Sequence, residues 1–297
     1  MRIAIVGFGE AGQIYAQDLA AAAEVTVWDK KLSASDAASG AAFEADKLRA
    51  RAVQMGVQPA DSLAEALDGA TLVLSLVTAA SALEVAKQAA PLLIRDQILL
   101  DFNSVAPDTK REAAASIAAG EGDYLDVAVM APVPPKRLAT PLLLGGEQAA
   151  IVAPLLTKLG CNAQAASEHI GEVSAIKMCR SVMIKGLEAL TTECLSAARQ
   201  YGVEEAVLNS LHVSFPSLGW DDKLPHYLIS RVAEHGVRRA EEMGEVVKTL
   251  QDVGVTASMS QATQQVQAGL PAKMQLKRLA YRDLTPFIWQ DAVDRLK

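Results

Sequence analysis

Short apolar runs alternate with longer amphipathic segments through the first half of the chain, and this alternation predicts parallel strands joined by helical crossovers. Residues 3–6, 25–28, 71–77, 98–101, 124–129 and 142–144 read as strands, each rich in branched aliphatic side chains and bounded by turn formers. Between them, residues 11–22, 62–67, 81–90 and 107–118 carry helical spacing, the second behind an Asp61 cap and the last opened by Pro107. From about Gly171 that rhythm stops. Long segments of helical periodicity follow, broken at Gly202, at residues 215–219, at Gly254 and at Pro271, so the second half is expected to be mainly helical.

Composition narrows the class. With 297 residues, 51% hydrophobic and 21% charged, the chain has material for about two cores at roughly 100–200 residues per domain. Lys and Arg number 28 against 35 Asp and Glu, and the net charge of -7 argues against a general binder of nucleic-acid backbones. The 3 cysteines, Cys161, Cys179 and Cys194, lack the paired spacing of a zinc or redox motif, and their odd number argues against a disulfide framework; they are expected to be reduced and mostly buried. His169, His212, His226 and His235 show no metal-ligand spacing, so no metal is expected. The apolar run at residues 1–6 is too short for the core of a signal peptide, and no later stretch reaches the roughly 18 apolar residues of a membrane span. A cytoplasmic protein with no membrane partner is the expectation.

The strongest local signal is Gly7-Phe8-Gly9-Glu10-Ala11-Gly12, directly after a predicted strand and opening a predicted helix. In that context the first glycine permits a tight turn, the second lets backbone approach a pyrophosphate, and the third lets helix and strand pack closely. Asp29, about 20 residues on at the end of the second strand, is placed to accept hydrogen bonds from ribose hydroxyls. Its charge repels a 2′-phosphate and favours NAD, while Lys30 and Lys31 leave NADP open. Val77 and Thr78, ending the next strand, and Asn103 and Ser104, after the one that follows, complete the expected cofactor contacts. The fold expected is α/β: a Rossmann-type doubly wound parallel sheet over residues 1–168, followed by an all-α domain over residues 169–297 for substrate and dimer contacts.

Asp101-Phe102-Asn103-Ser104-Val105-Ala106-Pro107 resembles the Asp-x-Ser-Thr-x-x-Pro element of the β-hydroxyacid dehydrogenases, the group that contains 3-hydroxyisobutyrate and 6-phosphogluconate dehydrogenases. Residues 126–132 resemble the Asp-Ala-Pro-Val segment of that group, Leu144-Gly145-Gly146 its Val-Gly-Gly, and residues 171–177 its glycine-rich approach to a catalytic lysine. Residues 185–190 and 235–243 resemble the helical C-terminal domain of uncharacterised 6-phosphogluconate-dehydrogenase-like proteins. The resemblance implies hydride transfer between NAD(P) and a small hydroxyacid or its oxo form, with Lys177 as general acid and base, and a homodimer held by the helical half.

Departures from the pattern carry information. Arg180 and Ser181 stand where the family has asparagines, and Lys177, Ser181 and Lys185 recur at i, i+4 and i+8 along one helical stripe. Facing a closed cleft, Ser181 would supply the missing hydrogen bond and Lys185 a second charge that lowers the pKa of Lys177; facing solvent, the stripe is only a charged surface. Pro134-Pro135-Lys136-Arg137 replaces the family's Ser-Gly-Gly, so Pro132 and Lys136 are the substrate contacts expected there, with Arg137 offering a carboxylate-shaped fork; a charged solvent loop is the other reading. Arg238 or Arg239 falls near the position where the resemblance implies a Lys-Asp pair beside the nicotinamide, with Arg239 the expected substrate contact, or else the two arginines form helix-surface pairs with Glu241 or Glu242. Two further functions stay open: imine reduction, which needs a proton donor and no carboxylate grip, and dinucleotide binding without catalysis.

Overall fold

The computed structural model describes residues 1–33 and 41–296, and the chain divides into two compact units, Met1–Lys177 and Met178–Lys297. The first unit begins β1 (Arg2–Val6), α1 (Glu10–Leu19), β2 (Glu24–Trp28), α2 (Ala41–Gln54), β3 (Gln58–Pro59), α3 (Leu63–Leu67) and β4 (Leu72–Ser75). It continues with α4 (Ala79–Ala89), β5 (Ile98–Asp101), α5 (Pro107–Ala118), β6 (Asp123–Val129), α6 (Val133–Lys136), β7 (Pro141–Gly145), α7 (Ala149–Lys158) and β8 (Asn162–Ser167). The described strands form one sheet in the order β3-β2-β1-β4-β5-β6-β7-β8, parallel throughout except where β7 runs antiparallel to β6. This is the doubly wound arrangement expected, with its reversal of strand order between β1 and β4.

The near-continuous apolar runs have a direct cause, because both faces of the sheet are covered. Ile3 and Ile5 point into one core with Tyr15 and Leu19 of α1, while Ala4 and Val6 point into the other with Leu67 of α3 and Ala89 of α4. The fourth strand ends at Ser75 rather than Val77, since after Leu76, whose N–H still reaches the Val6 carbonyl, the chain turns out of the ladder. The helix expected behind Asp61 is capped by Ser62 instead: the Ser62 hydroxyl accepts the Glu65 N–H, and the Glu65 carboxylate accepts the Asp61 N–H. The stretch around Pro134 is a single helical turn, α6, and not a loop.

A long helix, α8 (Glu172–Tyr201), carries the last residues of the first unit and the first of the second. The compact division therefore falls inside a helix, beyond the expected boundary at residue 168. The second unit adds α9 (Glu204–Ser214), α10 (Leu224–Asp252), α11 (Ser258–Leu276) and α12 (Trp289–Arg295). Pro271 does not break a helix as expected but lies inside α11. Proline leaves the carbonyl four residues earlier without its N–H partner, here that of Gln267. A Cβ at Gly236 of α10 would lie 2.2 Å from that carbonyl oxygen and 2.7 Å from the Pro271 ring, so the missing side chain lets the neighbouring helix fit the proline. Cys161 is buried, but Cys179 and Cys194 are exposed on α8, contrary to the expectation that the thiols are mostly buried. No helix among the described residues is long and apolar enough to cross a membrane.

Candidate functional site

The C-terminal ends of the central strands carry the chemistry of the first unit. Gly7 has φ +99, and a Cβ there would lie 2.4 Å from the Leu76 carbonyl oxygen and 2.9 Å from Val77, so the turn after β1 presses on the chain leaving β4. A Cβ at Gly12 would lie 2.0 Å from the Gly7 carbonyl oxygen, which makes this glycine a requirement of helix-to-turn packing. At Gly9 a Cβ would meet nothing within 4 Å. The fold itself has no need of glycine at that exposed position, whereas backbone approach by a pyrophosphate does. The Asp29 carboxylate is fixed beside the loop, accepting the Phe8 N–H at 2.8 Å and the Lys31 N–H at 3.0 Å, one on each oxygen. Each oxygen keeps a second acceptor site for a ribose hydroxyl. The residues present thus fit a dinucleotide, with Glu10 and Ala11 opening α1 and Thr78 exposed at the start of α4.

One row of residues crosses the sheet at this edge: Ser75 pairs with Asp101, Asp101 with Asp126, and Asp126 with Gly145. Paired neighbours present their side chains to the same face. The Asn103 amide donates to Ser75 Oγ at 3.0 Å and to Asp101 Oδ1 at 2.6 Å, and its own N–H also reaches Asp101 Oδ1. Asn103 is only 5% exposed, and these bonds tie its side-chain amide to the turn. The next residue, Ser104, is half-buried and accepts a hydrogen bond from Lys177 Nζ. This contact joins the turn after β5 to the second turn of α8.

Two features bring Lys177 there. Gly145 leaves room for the start of α8, since a Cβ would lie 3.1 Å from the His169 carbonyl oxygen and 3.2 Å from Val173. Asp126 caps the helix, accepting the Gly171 and Ser174 N–H groups at 3.2 Å on Oδ2 and the Ser174 hydroxyl at 2.7 Å on Oδ1. Between Asp101 and Asp126 lies Lys110 of α5, 0% exposed, with Nζ 3.1 Å from one carboxylate and 3.2 Å from the other and donating to the Asp101 carbonyl at 2.6 Å. Tyr124 donates to Asp101 Oδ2 at 2.7 Å, and burial, then the charges of Asp101 and Asp126, hold its hydroxyl well above the usual range. The sequence reading did not single out Lys110, Tyr124 or Ser174. The signal for Lys110 was its helical spacing with Ala113 and Ile117, which puts it on the buried face of α5.

Lys185 is buried in the second unit, paired with Glu242 at 2.6 Å; burial lowers its pKa against the pull of Glu242, and Arg239 lowers it further. Arg239 is held by both carboxylate oxygens of Glu188, while Arg238 makes the expected helix-surface pair with Glu242 at 2.7 Å. Ser181 is buried. In the first unit Pro132 and Lys136 are exposed, but the Arg137 fork is taken by Asp18 of α1, at 2.6 and 2.9 Å.

Residues 2–171, more than half of the chain, match the family described as the NAD binding domain of 6-phosphogluconate dehydrogenase. The chain belongs to the β-hydroxyacid dehydrogenase superfamily. Residues 198–270 match a domain of unknown function (DUF1932). The solved structure of a conserved hypothetical protein from Sinorhizobium meliloti 1021 is 41% identical, with a TM-score of 0.77 over 100% of this chain and 95% of that one. A second solved structure, of a conserved protein of unknown function described as similar to 3-hydroxyacid dehydrogenases, is 28% identical, with a TM-score of 0.69 over 91% of this chain and 96% of that one. The 3-hydroxyisobutyrate dehydrogenase of Pseudomonas aeruginosa is 30% identical over 172 residues, 54% of this chain and 55% of that protein. This β-hydroxyacid dehydrogenase superfamily member therefore carries an NAD-binding domain whose glycine loop, strand-end aspartates and Lys177 occupy one edge of one sheet.

Proposed function

We propose that this protein transfers a hydride between NAD and a small β-hydroxyacid or its oxo form, with Lys177 as general acid and base. The observation that carries this reading is the hydrogen bond from Lys177 Nζ to Ser104 Oγ at the C-terminal edge of a parallel sheet whose glycine loop is shaped for a dinucleotide. When bound, the nicotinamide supplies the hydride acceptor or donor. Gly7 to Gly12 hold the phosphates against the start of α1, and Asp29 accepts the ribose hydroxyls while repelling a 2′-phosphate, which favours NAD over NADP. Lys177 removes the proton of the substrate hydroxyl during oxidation and returns it during reduction. Ser104, accepting from Lys177, turns its own O–H toward the substrate oxygen and fixes it within reach. Lys136, exposed at the end of α6, is the cation offered to the substrate carboxylate, Arg137 being occupied by Asp18.

That occupied fork favours imine reduction as a second reading, since a neutral imine needs a proton donor and no carboxylate grip. The two are separated by titrating the purified protein with NADH and NADPH by fluorescence, then measuring turnover of 3-hydroxyisobutyrate and of a cyclic imine. Tighter binding of NADH and oxidation of the acid are expected. Turnover of the imine alone replaces the hydroxyacid reading, and cofactor binding with neither substrate consumed points to a dinucleotide-binding protein without catalysis.

A further inference from the structure

We propose that the buried Asp101–Lys110–Asp126 cluster is the device that sets Lys177 against Ser104, making Lys110, Asp126 and Ser174 positioning residues for the site; the catalytic consequence rests on the role proposed above for Lys177. The cluster bridges two segments, and each carries one member of the reacting pair. Asp101 fixes the turn that presents Ser104, through the Asn103 N–H and side-chain amide. Asp126 fixes the start of α8 through Gly171 and Ser174, and Ser174 lies three residues, a little under one helical turn, before Lys177. The two aspartates are direct neighbours in adjacent strands, so their side chains emerge together on one face. Without a cation between them, two like charges out of contact with water would disfavour each other's ionised form, and a neutral carboxyl is a weaker hydrogen-bond acceptor for the segment it holds. Lys110 reaches both carboxylates from a third element, α5, and takes the Asp101 carbonyl with another of its three donors.

A purely structural need would not call for this arrangement, because apolar residues of similar volume commonly replace a buried ion cluster at no loss of stability. What an apolar cluster would lose is direction. Charge-assisted hydrogen bonds define the angle and distance at which the Ser104 turn and the Lys177 helix meet, and proton transfer is sensitive to that distance.

The test compares wild type with Lys110→Met, which keeps the shape and removes the charge, and with Ser174→Ala and Ser174→Thr. Amide hydrogen exchange is followed on the intact protein, and kcat and KM are measured with NAD and 3-hydroxyisobutyrate. In Lys110→Met, exchange at the Gly171 and Ser174 amides is expected to quicken about tenfold or more, the effect of losing a hydrogen bond to a charged group, while β1, β2 and β4 keep their protection. The accompanying fall in kcat is on the order of 100-fold, as for a reacting group displaced by about 1 Å, with KM for NAD unchanged. Ser174→Ala gives the same pattern on a smaller scale, roughly tenfold, and decides the matter if Lys110→Met is recovered unfolded; Ser174→Thr restores both readouts. Wild-type exchange at the two amides in either variant overturns the proposal. So does quickened exchange with unchanged kcat. Failure of the proton-transfer reading shows differently, as wild-type kcat in Lys177→Ala, and the exchange measurement, which needs no substrate, still decides whether the cluster holds the helix.

Discussion

The first unit places its buried charges at the ends of paired strands, and the second places them between long helices. Asp101 and Asp126 sit on a row set by strand register with Lys110 of α5 between them, and the two carboxylates also accept hydrogen bonds from the Ser104 turn and the start of α8. In the second unit Glu188 of α8, 1% exposed, is held by Arg239 of α10 and by Gln267 of α11 at 3.0 Å, and Lys185 is held by Glu242. Burial raises the pKa of Glu188 and lowers that of Lys185, each opposed by its partners, so desolvation works against the charged form of both. These pairs join helix to helix within the second unit. The difference teaches that a buried lysine is not by itself a sign of chemistry: what its partners hold in place decides whether it serves a reaction or a packing interface.

The largest effect that would break this contrast concerns Arg239. Arg239→Met leaves the Glu188 carboxylate buried without its cation, and a loss of about 3–5 kcal/mol in the stability of the helical unit is expected, read by urea unfolding, with the Kd for NADH unchanged. A weakened Kd at full stability would return Arg239 to the cofactor site. Two glycines of the first unit separate packing from ligand contact on a finer scale. Gly12→Ala drives a Cβ into the Gly7 carbonyl and should cost about 1–3 kcal/mol in thermal unfolding. Gly9→Ala should leave stability within about 0.5 kcal/mol of wild type, because nothing in the protein meets the new methyl. It should nevertheless weaken NADH on the order of tenfold by fluorescence titration, and unchanged affinity would remove Gly9 from the phosphate contact.

Much of the first unit was legible because its strands are buried on both faces and write themselves as unbroken apolar runs, as in β1 and β5. The edge strand β8, Asn-Ala-Gln-Ala-Ala-Ser, is largely exposed and has no such run, so it was not foreseen. Nor was α2, whose sequence is dominated by alanine and charge. The glycine loop was readable because three backbone requirements fall within six adjacent positions. Lys177 was found through its motif, and the contact with Ser104 that gives it meaning joins residues far apart in sequence. The motif position of Asn103 suggests a ligand contact, but the bonds of its amide to Asp101 and Ser75 depend on strand neighbours that the motif does not show. Arg137, Lys185 and Arg239 illustrate the same limit: a cation is visible in a sequence, but the distant carboxylate that neutralises it is not.

The most direct measurement of the central claim is transfer of deuterium from NADH labelled at the nicotinamide C4 to the aldehyde form of 3-hydroxyisobutyrate, followed by mass spectrometry in wild type and Lys177→Ala. Wild type is expected to place one deuterium on the new hydroxyl-bearing carbon, and Lys177→Ala to bind NADH equally well while transferring about 10²–10⁴ times more slowly. Transfer at the wild-type rate in Lys177→Ala, or no deuterium in the wild-type product, would contradict it.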